Sequence, residues 1–425
     1  MDKAKHIDRL KDLVIVLLFV SALLLLYRAV FYGTPSPFTH FLSGSTAETD
    51  GTATAATLST KPATVLVTGL DGTHTAAKYD RDAREKLLTA FSASLGEALG
   101  SAGDARSVSD DEWHSALRGS GVFFDYLYPQ PLSVVAASLG TTAKNSVASA
   151  FARRLCLSIS EDSVRLYYIG ADGGIFRCST ALSASSLSAK FGDYRGGEAK
   201  YAFELGGEYA AIDPCFIFSG EDTKLQAVSA ANPLTESGEL TKLFTIFGMS
   251  AHASSGYIEK GGSVVYVEGS KSLRMDNNAG SVLFSVADGS GVSIAHSGEL
   301  TTAEIVAACA GICKASIGAD AGAAELTLVS CETDNMTGAT DVNFAYAIAG
   351  IPVTLADGAP AATFKISGSS IIRAELCFRR YSYTGETLTA PPETTAAAIA
   401  KAGGGEPLLT YDDRSDGVAA SWIVR

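Results

Sequence analysis

Two cysteines spaced four residues apart could present a pair of thiolates to a zinc ion from one face of a helix. They are Cys309 and Cys313, in the segment AACAGICKA. A structural zinc site takes four ligands, and no histidine or further cysteine stands close to this pair. We therefore predict small apolar residues on a buried helix face and no metal site. The other cysteines show no spacing that defines a disulfide framework: Cys156, Cys178, Cys215, Cys331 and Cys377.

Two histidines stand near carboxylates and are candidates for general acid–base chemistry. His114 follows Asp110 and Asp111 at helical spacing in the segment DDEWHS. His296 precedes Glu299. A hydrolase also needs an activated nucleophile, and the sequence has no Gly-x-Ser-x-Gly elbow between a strand and a helix and no His-Glu-x-x-His motif. We expect structural or solvent-exposed roles for both histidines.

Other motifs are typical of turns and loops. Asp412-Asp413 is expected to form a polar turn between the last two strands. The glycine-rich pieces Gly196-Gly197 and Gly403–Gly405 lack the Lys-Ser/Thr of a phosphate-binding loop. Asn335-Met336-Thr337 fits a glycosylation sequon, to which we assign no role. We therefore predict no catalytic residue, no cofactor-binding residue and no cofactor.

Composition narrows the class of protein. The chain has 425 residues, of which 47% are apolar and 19% charged, and its net charge is −13. The apolar fraction is too high for a disordered chain, and the length is ample for buried cores. Nucleic-acid binders need a basic footprint that neutralises phosphates. This acidic chain has none beyond its N-terminus, so we expect no nucleic-acid partner.

The N-terminal residues predict an anchor in the lipid bilayer. The run from Leu13 to Leu26 is LVIVLLFVSALLLL, and the apolar stretch continues to Tyr32 with a single charge at Arg28. About twenty helical residues span the hydrocarbon core, and the side chains of this run contribute about −4 to −7 kcal/mol of insertion free energy. Arg28 can extend to the lipid headgroups, where Tyr32 also fits. We predict a transmembrane helix over residues 13–32.

Lysine and arginine counts predict the orientation of this helix. Lys3, Lys5, Arg9 and Lys11 precede the span, and after Arg28 no Lys or Arg follows until Lys61. The positive-inside rule then places a tail, residues 1–12, in the cytoplasm and the C-terminal bulk outside the cell. The two competing interpretations are a cleaved signal peptide, for which no suitably placed small residues follow the span, and a buried helix, which would be amphipathic.

Beyond the span, the sequence predicts a tether and a folded ectodomain. Residues 33–61 are rich in Ser, Thr and Ala and show no apolar periodicity, as expected of a flexible tether. We divide the rest into an N-terminal α+β part (62–215), a helix with a β-meander (216–297) and a C-terminal α+β part (298–425). The expected fold class is α+β, with antiparallel sheets covered by helices on one face.

Apolar periodicity and turn residues place the individual elements. Helices are expected at 80–99, 131–139, 237–249, 301–317 and 392–402. A further short helix is expected to follow the capping residues Ser109–Glu112. Strands are expected at 63–68, 122–127, 164–169, 175–180, 325–332, 342–347, 361–366, 371–383, 408–411 and 420–424.

Six segments of the chain look familiar when they are taken together. They are VFFDYLYPQPLSVVAASLG (122–140), LFTIFGM (243–249), YIEKGGSVVYVEGSKSLRM (257–275), VNFAYAIAGIPV (342–353), AELCFRRYSYTGE (374–386) and SWIVR (421–425). Together they resemble the YycH/YycI family, membrane-anchored regulators of the WalK (YycG) sensor kinase in Gram-positive bacteria. The layout resembles a divergent, clostridial-type member closer to YycH. Each segment is a packing or turn motif, and none is a catalytic signature.

The resemblance implies a single-pass regulator rather than an enzyme. Its ectodomain would contact a sensor histidine kinase at the outer membrane face, with a paralogous regulator as a further partner, and tune cell-wall homeostasis genes. Two other hypotheses stay open at this point. One is an anchored ectodomain that binds the wall or another substrate, and the other is an anchored hydrolase.

Overall fold

The computed structural model describes residues 58–425 apart from 221–223, 237, 251–254, 297, 391, 404 and 415–416. The described residues belong to one compact unit. Within the described ranges no helix has the length and apolar character needed to cross a membrane. The predicted tail 1–12, the predicted span Leu13–Tyr32 and the predicted tether up to residue 57 lie outside the described residues.

The first part of the chain builds an antiparallel sheet. In chain order the first strands are β1 (Leu58–Ser59), β2 (Thr64–Thr68), β3 (His74–Lys78), β4 (Arg106–Ser107), β5 (Gly121–Pro131), β6 (Phe151–Ser160), β7 (Ser163–Gly170) and β8 (Ile175–Ser183). All but β1 form a seven-stranded sheet in the order β3-β2-β5-β6-β7-β8-β4. The helices of this part are α1 (Arg81–Ser101), α2 (Asp110–Arg118), α3 (Leu132–Ser138) and α4 (Ala184–Ser188).

Helix α1 forms as the sequence predicts. The side chain of Asp80 caps it by accepting from the backbone N–H groups of Asp82 and Ala83. Its apolar residues recur at helical spacing, so that Phe91 and Leu95 enter a core shared with β2, β5 and β6. The helix therefore covers one face of the first sheet.

The opposite face of that sheet is also covered, which corrects the expectation of one-sided cover. Trp113 and Leu117 of α2 pack against Leu66 and Phe123, whereas the neighbouring strand residue Val65 points into the α1 core. Side chains alternate between the two faces of a strand, so a strand buried on both faces reads as a continuous apolar run. The fully buried strand TVLVT has this character.

The remaining strands form mainly one large sheet. In chain order they are β9 (Lys200–Tyr201), β10 (Ile217–Phe218), β11 (Lys224–Ala231), β12 (Ser255–Ile258), β13 (Val264–Glu268), β14 (Lys271–Asp276), β15 (Ser281–Val286), β16 (Val292–Ser293), β17 (Glu325–Thr333), β18 (Thr340–Ile348), β19 (Ile351–Thr354), β20 (Ala362–Ser367), β21 (Ser370–Cys377), β22 (Arg380–Thr389), β23 (Pro407–Arg414) and β24 (Gly417–Val424). The helices here are α5 (Ala202–Leu205), α6 (Glu239–Ile246), α7 (Thr302–Ala315) and α8 (Glu393–Gly403).

The large sheet has thirteen strands, and most of them follow the order β12-β13-β14-β15-β21-β20-β18-β19-β23-β24. The predicted meander is confirmed, because β12 to β15 pair in antiparallel succession. Strand β15 then pairs with β21, so strands from before and after the expected boundary at 297/298 share one sheet. The division of the chain into parts stays a prediction.

Two sequence expectations need correction in this region. The run 371–383 is not one strand, because β21 ends at Cys377 and β22 begins at Arg380 and pairs with β11 in a separate ribbon. Asp412-Asp413 does not form the polar turn, because both residues lie within β23. Asp413 is buried there and accepts hydrogen bonds from Arg379 Nε at 3.0 Å and from the Tyr381 hydroxyl at 2.8 Å.

Candidate functional site

A small cavity with charged side chains in its lining lies where the first sheet meets the residues that precede and begin β23. Its volume is about 40 Å³, and its lining includes Lys78, Tyr79, Asp125, Arg153 and Glu406. A buried water needs roughly 10–15 Å³, so this space admits a few water molecules rather than a metabolite. Several ion pairs join the charged groups around it, which form the first candidate site.

An irregularity in β6 brings two consecutive arginines to one place. The pairing of β6 with β7 shifts register between Ala152 and Arg154, as a β-bulge does. Neighbouring residues on a regular strand point to opposite faces, yet both Arg153 and Arg154 bond the carboxylate of Asp125 on β5. The bulge therefore makes Asp125 a shared acceptor for two guanidinium groups.

The two arginines also reach carboxylates far along the chain. Arg154 holds Asp213 through two parallel contacts of 2.9 and 2.8 Å, the bidentate geometry that favours arginine. Arg153 bonds both oxygens of Glu406, with Nη2 to Oε1 at 2.5 Å. Residues separated by more than two hundred positions in the sequence are thereby joined in one network, which we call the arginine seam: Asp125, Arg153, Arg154, Asp213, Glu406 and Arg425.

Arg425 completes the charge balance of the arginine seam. Its Nη2 lies 3.0 Å from Glu406 Oε2, and its Nη1 donates to the carbonyl of Leu127 at 2.6 Å. Burial alone would raise the pKa of Glu406, but the hydrogen bond from Arg153 and the surrounding positive charges outweigh it and lower that pKa to about 2. Three guanidinium groups therefore face three carboxylates, and each charge is compensated.

A buried lysine also borders the cavity. Lys78 donates to the Ile217 carbonyl at 2.8 Å and to Glu393 Oε1 at 2.9 Å. Its ammonium lies 4.3 Å from the ring centre of Phe216 and 4.7 Å from that of Tyr79, within the range of cation–π attraction. Burial acts to lower the pKa of Lys78, but contacts with Tyr79 and Glu393 prevail and raise it. This cation is therefore held charged and fully engaged.

The charged side chains around the cavity interact by electrostatic attraction within ion pairs. None of the cavity-lining charges is left without an opposite charge, so the region has the properties of a structural connection between distant segments. The cavity is also too small to hold any substrate larger than a few water molecules. We therefore assign the arginine seam to holding the folded unit together.

A second cluster has the residue types of a hydrolytic relay and was not found from the sequence. His74 Nδ1 lies 2.9 Å from the hydroxyl of Thr68, and His74 Nε2 lies 3.1 Å from Glu204 Oε1. Thr68 and His74 are only 2% and 1% exposed, and the Thr68 hydroxyl donates to the Leu117 carbonyl. The hydroxyl is therefore engaged and closed to substrate. Glu204 lies 130 residues from His74, so local sequence gives no signal of the pairing.

The histidines singled out from the sequence lie elsewhere, each with its own contacts. The ring of His114 stacks on the ring of Phe203, with 4.2 Å between the ring centres. The guanidinium of Arg118 lies 4.8 Å from the centre of the Phe203 ring. Burial, followed by the charge of Arg118, lowers the pKa of His114. His296 is exposed, with its Nδ1 at 2.7 Å from the Gly298 carbonyl. Among the described residues, these contacts of His114 and His296 include no serine, threonine or cysteine side chain.

The remaining motifs occupy the places that their sequences suggest. Cys309 and Cys313 are both buried on α7, and burial raises the pKa of each thiol. No cluster of three or more metal-ligating side chains occurs within the described ranges. Asn335-Met336-Thr337 lies in the connection between β17 and β18, where Met336 is 96% exposed.

The third candidate is a surface at the edge of the large sheet. Strand β12 pairs with β13 and, among the described residues, with no other strand. Tyr257 and Ile258 on β12 are 54% and 74% exposed, and Val267 on β13 is also exposed. We call this surface, formed by Ser255–Ile258 together with Val267, the β12 edge. It is suited to contact with another protein, because exposed apolar groups on a sheet edge mark interaction sites.

The fold and these surfaces define the class of protein as an α+β unit of antiparallel sheets and helices. Comparison with protein-family models, curated proteins and solved structures gives no match to this chain.

Proposed function

We propose that the protein is a membrane-anchored regulator of a two-component sensor histidine kinase that acts outside the cell by protein–protein contact. In this proposal residues 13–32 span the cell membrane, the N-terminus is cytoplasmic and the described residues face the exterior. The regulated process is cell-wall homeostasis signalling, and a paralogous regulator is a further partner. The proposal rests on the family resemblance, the apolar N-terminal run and one surface of the fold.

The observation that carries the proposal is the β12 edge. The segment 257–275, one of those on which the resemblance depends, forms the second half of β12, all of β13 and most of β14. It begins with Tyr257 and Ile258, two of the large apolar side chains that the fold leaves exposed. The β12 edge is suited to binding another protein, because it exposes both apolar side chains and the backbone groups of an edge strand.

Regulation by contact makes a modest energetic demand. A regulator shifts a two-state kinase only by binding its two conformations with different affinity. A tenfold difference in affinity corresponds to about 1.4 kcal/mol, which a few apolar side chains can provide. Neither a cofactor nor a reactive centre is needed for this mechanism.

Recovery of a kinase from membranes tests the proposal. We expect the tagged full-length chain, solubilised from membranes of its own host, to co-purify with a sensor histidine kinase. Removal of residues 1–33 should abolish the recovery, and an unrelated single-span anchor in their place should restore it, because the contact belongs to the folded part. Recovery of wall fragments without a kinase would support the wall-binding hypothesis instead.

A further inference from the structure

We infer that the β12 edge takes up a short extended segment of another protein, uncharged or basic in character, as an additional strand of the large sheet. This inference rests on the proposed function and specifies its binding mode. A strand added to a sheet edge gains main-chain hydrogen bonds along its length, and its side chains settle against those of the edge.

The geometry of β12 suits strand addition. Four consecutive residue pairs join it to β13 without a register shift, from Ser255 opposite Val267 to Ile258 opposite Val264. Adjacent side chains on a strand point to opposite faces, so Tyr257 and Ile258 lie on the two faces of the sheet. An incoming strand would therefore meet an apolar side chain on each face.

Among the described residues, this edge lacks several of the devices by which sheets avoid unwanted pairing. Three such devices are proline, β-bulges and charged side chains on the strand. The strand sequence SGYI contains no proline or charge, its register is regular, and its two large side chains are exposed. An edge left open in this way is suited to pairing with a partner strand.

The β12 edge is held in place by its neighbours. The Tyr266 ring lies over Gly256, where a Cβ atom would be 2.8 Å from that ring. Tyr266 in turn meets Phe244 of α6 edge to face at 5.2 Å. Behind these residues, Phe247 stacks on Phe284 of β15 at 4.3 Å. The edge is therefore preorganised, which reduces the entropy lost on binding.

Size and charge select the occupant. The exposed apolar surface of Tyr257, Ile258 and Val267 amounts to on the order of 300 Å², whereas a stable interface buries roughly 800 Å² on each partner. A second copy of the chain would gain too little from this edge and would bring a like net charge of −13. A short segment of a different protein fits the small exposed area. If it has no acidic side chains, it also avoids repulsion by the negative net charge of this chain.

Binding of a synthetic strand tests the inference. The probe is a fluorescein-labelled peptide, Lys-Val-Thr-Val-Thr-Lys, added to the full-length chain in lipid nanodiscs, with empty nanodiscs as the blank. We expect saturable binding by fluorescence anisotropy. A peptide N-methylated at alternate residues should bind at least tenfold more weakly, because it loses backbone donors, and a Glu-ended peptide should also bind more weakly.

Two matched substitutions locate the binding surface. I258K should weaken binding of the probe at least tenfold, whereas M336K should change it less than twofold, because Met336 is also apolar and exposed but lies in the connection between β17 and β18. Both positions are exposed, so neither substitution should disturb folding. Hydrogen exchange should show added protection at Ser255–Ile258 when the probe is bound.

Three results would overturn the inference. They are equal binding of the N-methylated probe, equal loss of binding in both variants, and a dimer of the chain in sedimentation that I258K dissociates. A kinase that still co-purifies with I258K would leave the proposed function intact while removing this edge as its surface. Conversely, failure of the unaltered chain to recover a kinase would contradict the proposed function even if the probe binds.

Discussion

Replacement of Arg154 by methionine is expected to lower the free energy of unfolding by about 3–5 kcal/mol. Arg154 is buried and bonds Asp213 through two contacts and Asp125 through a third. The methionine leaves the largely buried carboxylate of Asp213 without its cation, whereas Asp125 and Glu406 keep Arg153. A buried charge without a partner destabilises a protein more than the loss of a surface ion pair does. We therefore expect R154M to lower the free energy of unfolding more than loss of a surface arginine would.

A matched arginine on the surface provides the control for R154M. Arg373 pairs with Glu375 at a position where both side chains are about half exposed. Exposed ion pairs contribute roughly 0–1 kcal/mol, so R373M should leave stability nearly unchanged. Urea unfolding of both variants, followed by tryptophan fluorescence, provides the comparison. Equal midpoints for R154M and R373M would show that the arginine seam does not hold the unit together.

The stability of the protein is expected to fall in acid because of Glu406. Its pKa is lowered to about 2 in the folded protein from an ordinary value of 4.5. A carboxyl group whose pKa is lower in the folded state than in the unfolded state stabilises the fold fully above about pH 4.5. This stabilisation is lost as the pH falls below 4.5 and through the folded-state pKa of about 2. A shift of this size corresponds to about 3 kcal/mol.

The substitution E406Q isolates this contribution from those of other carboxylates. We expect the difference in unfolding free energy between the unaltered chain and E406Q to be largest near pH 7. It should narrow as the pH falls from about 4.5 toward 2, because protonated Glu406 comes to resemble glutamine. The exposed E375Q is the control and should change the unfolding free energy by no more than about 1 kcal/mol. A difference for E406Q that stays constant from pH 7 to pH 2.5 would contradict the assignment.

The sequence predicts elements whose signals are local. Helix α1 has an aspartate cap and apolar residues at helical spacing, and the meander has glycine-containing turns between its strands. Each signal arises within a few residues, and the structure forms these elements accordingly. The antiparallel α+β character follows from the same local patterns.

The sequence does not predict elements whose stability depends on distant partners. The stretch FARRLCLSIS was not expected to be a strand, because two adjacent arginines interrupt its apolar pattern. Their charges are neutralised by Asp213 and Glu406, and only the folded chain brings these groups together. The break between β21 and β22 likewise depends on pairing with β11.

The candidate surfaces were hidden from the sequence for a similar reason. Tyr257 and Ile258 stand in a run of β-formers that resembles any core strand, and only the order of strands makes β12 an edge. The contact of His74 with Glu204 depends on how α5 packs against β3. A sequence shows the type of each side chain, but exposure and partnership are properties of the assembled sheets.

Site-specific photocross-linking in living cells tests the central claim that the chain contacts a sensor kinase through the β12 edge. A benzophenone amino acid replaces Ile258 in one strain and Met336 in a control strain, and cross-linked proteins are identified by mass spectrometry. We predict that a sensor histidine kinase is captured from position 258 and not from position 336. Capture of the same proteins at both positions, or of no kinase at position 258, would contradict the claim.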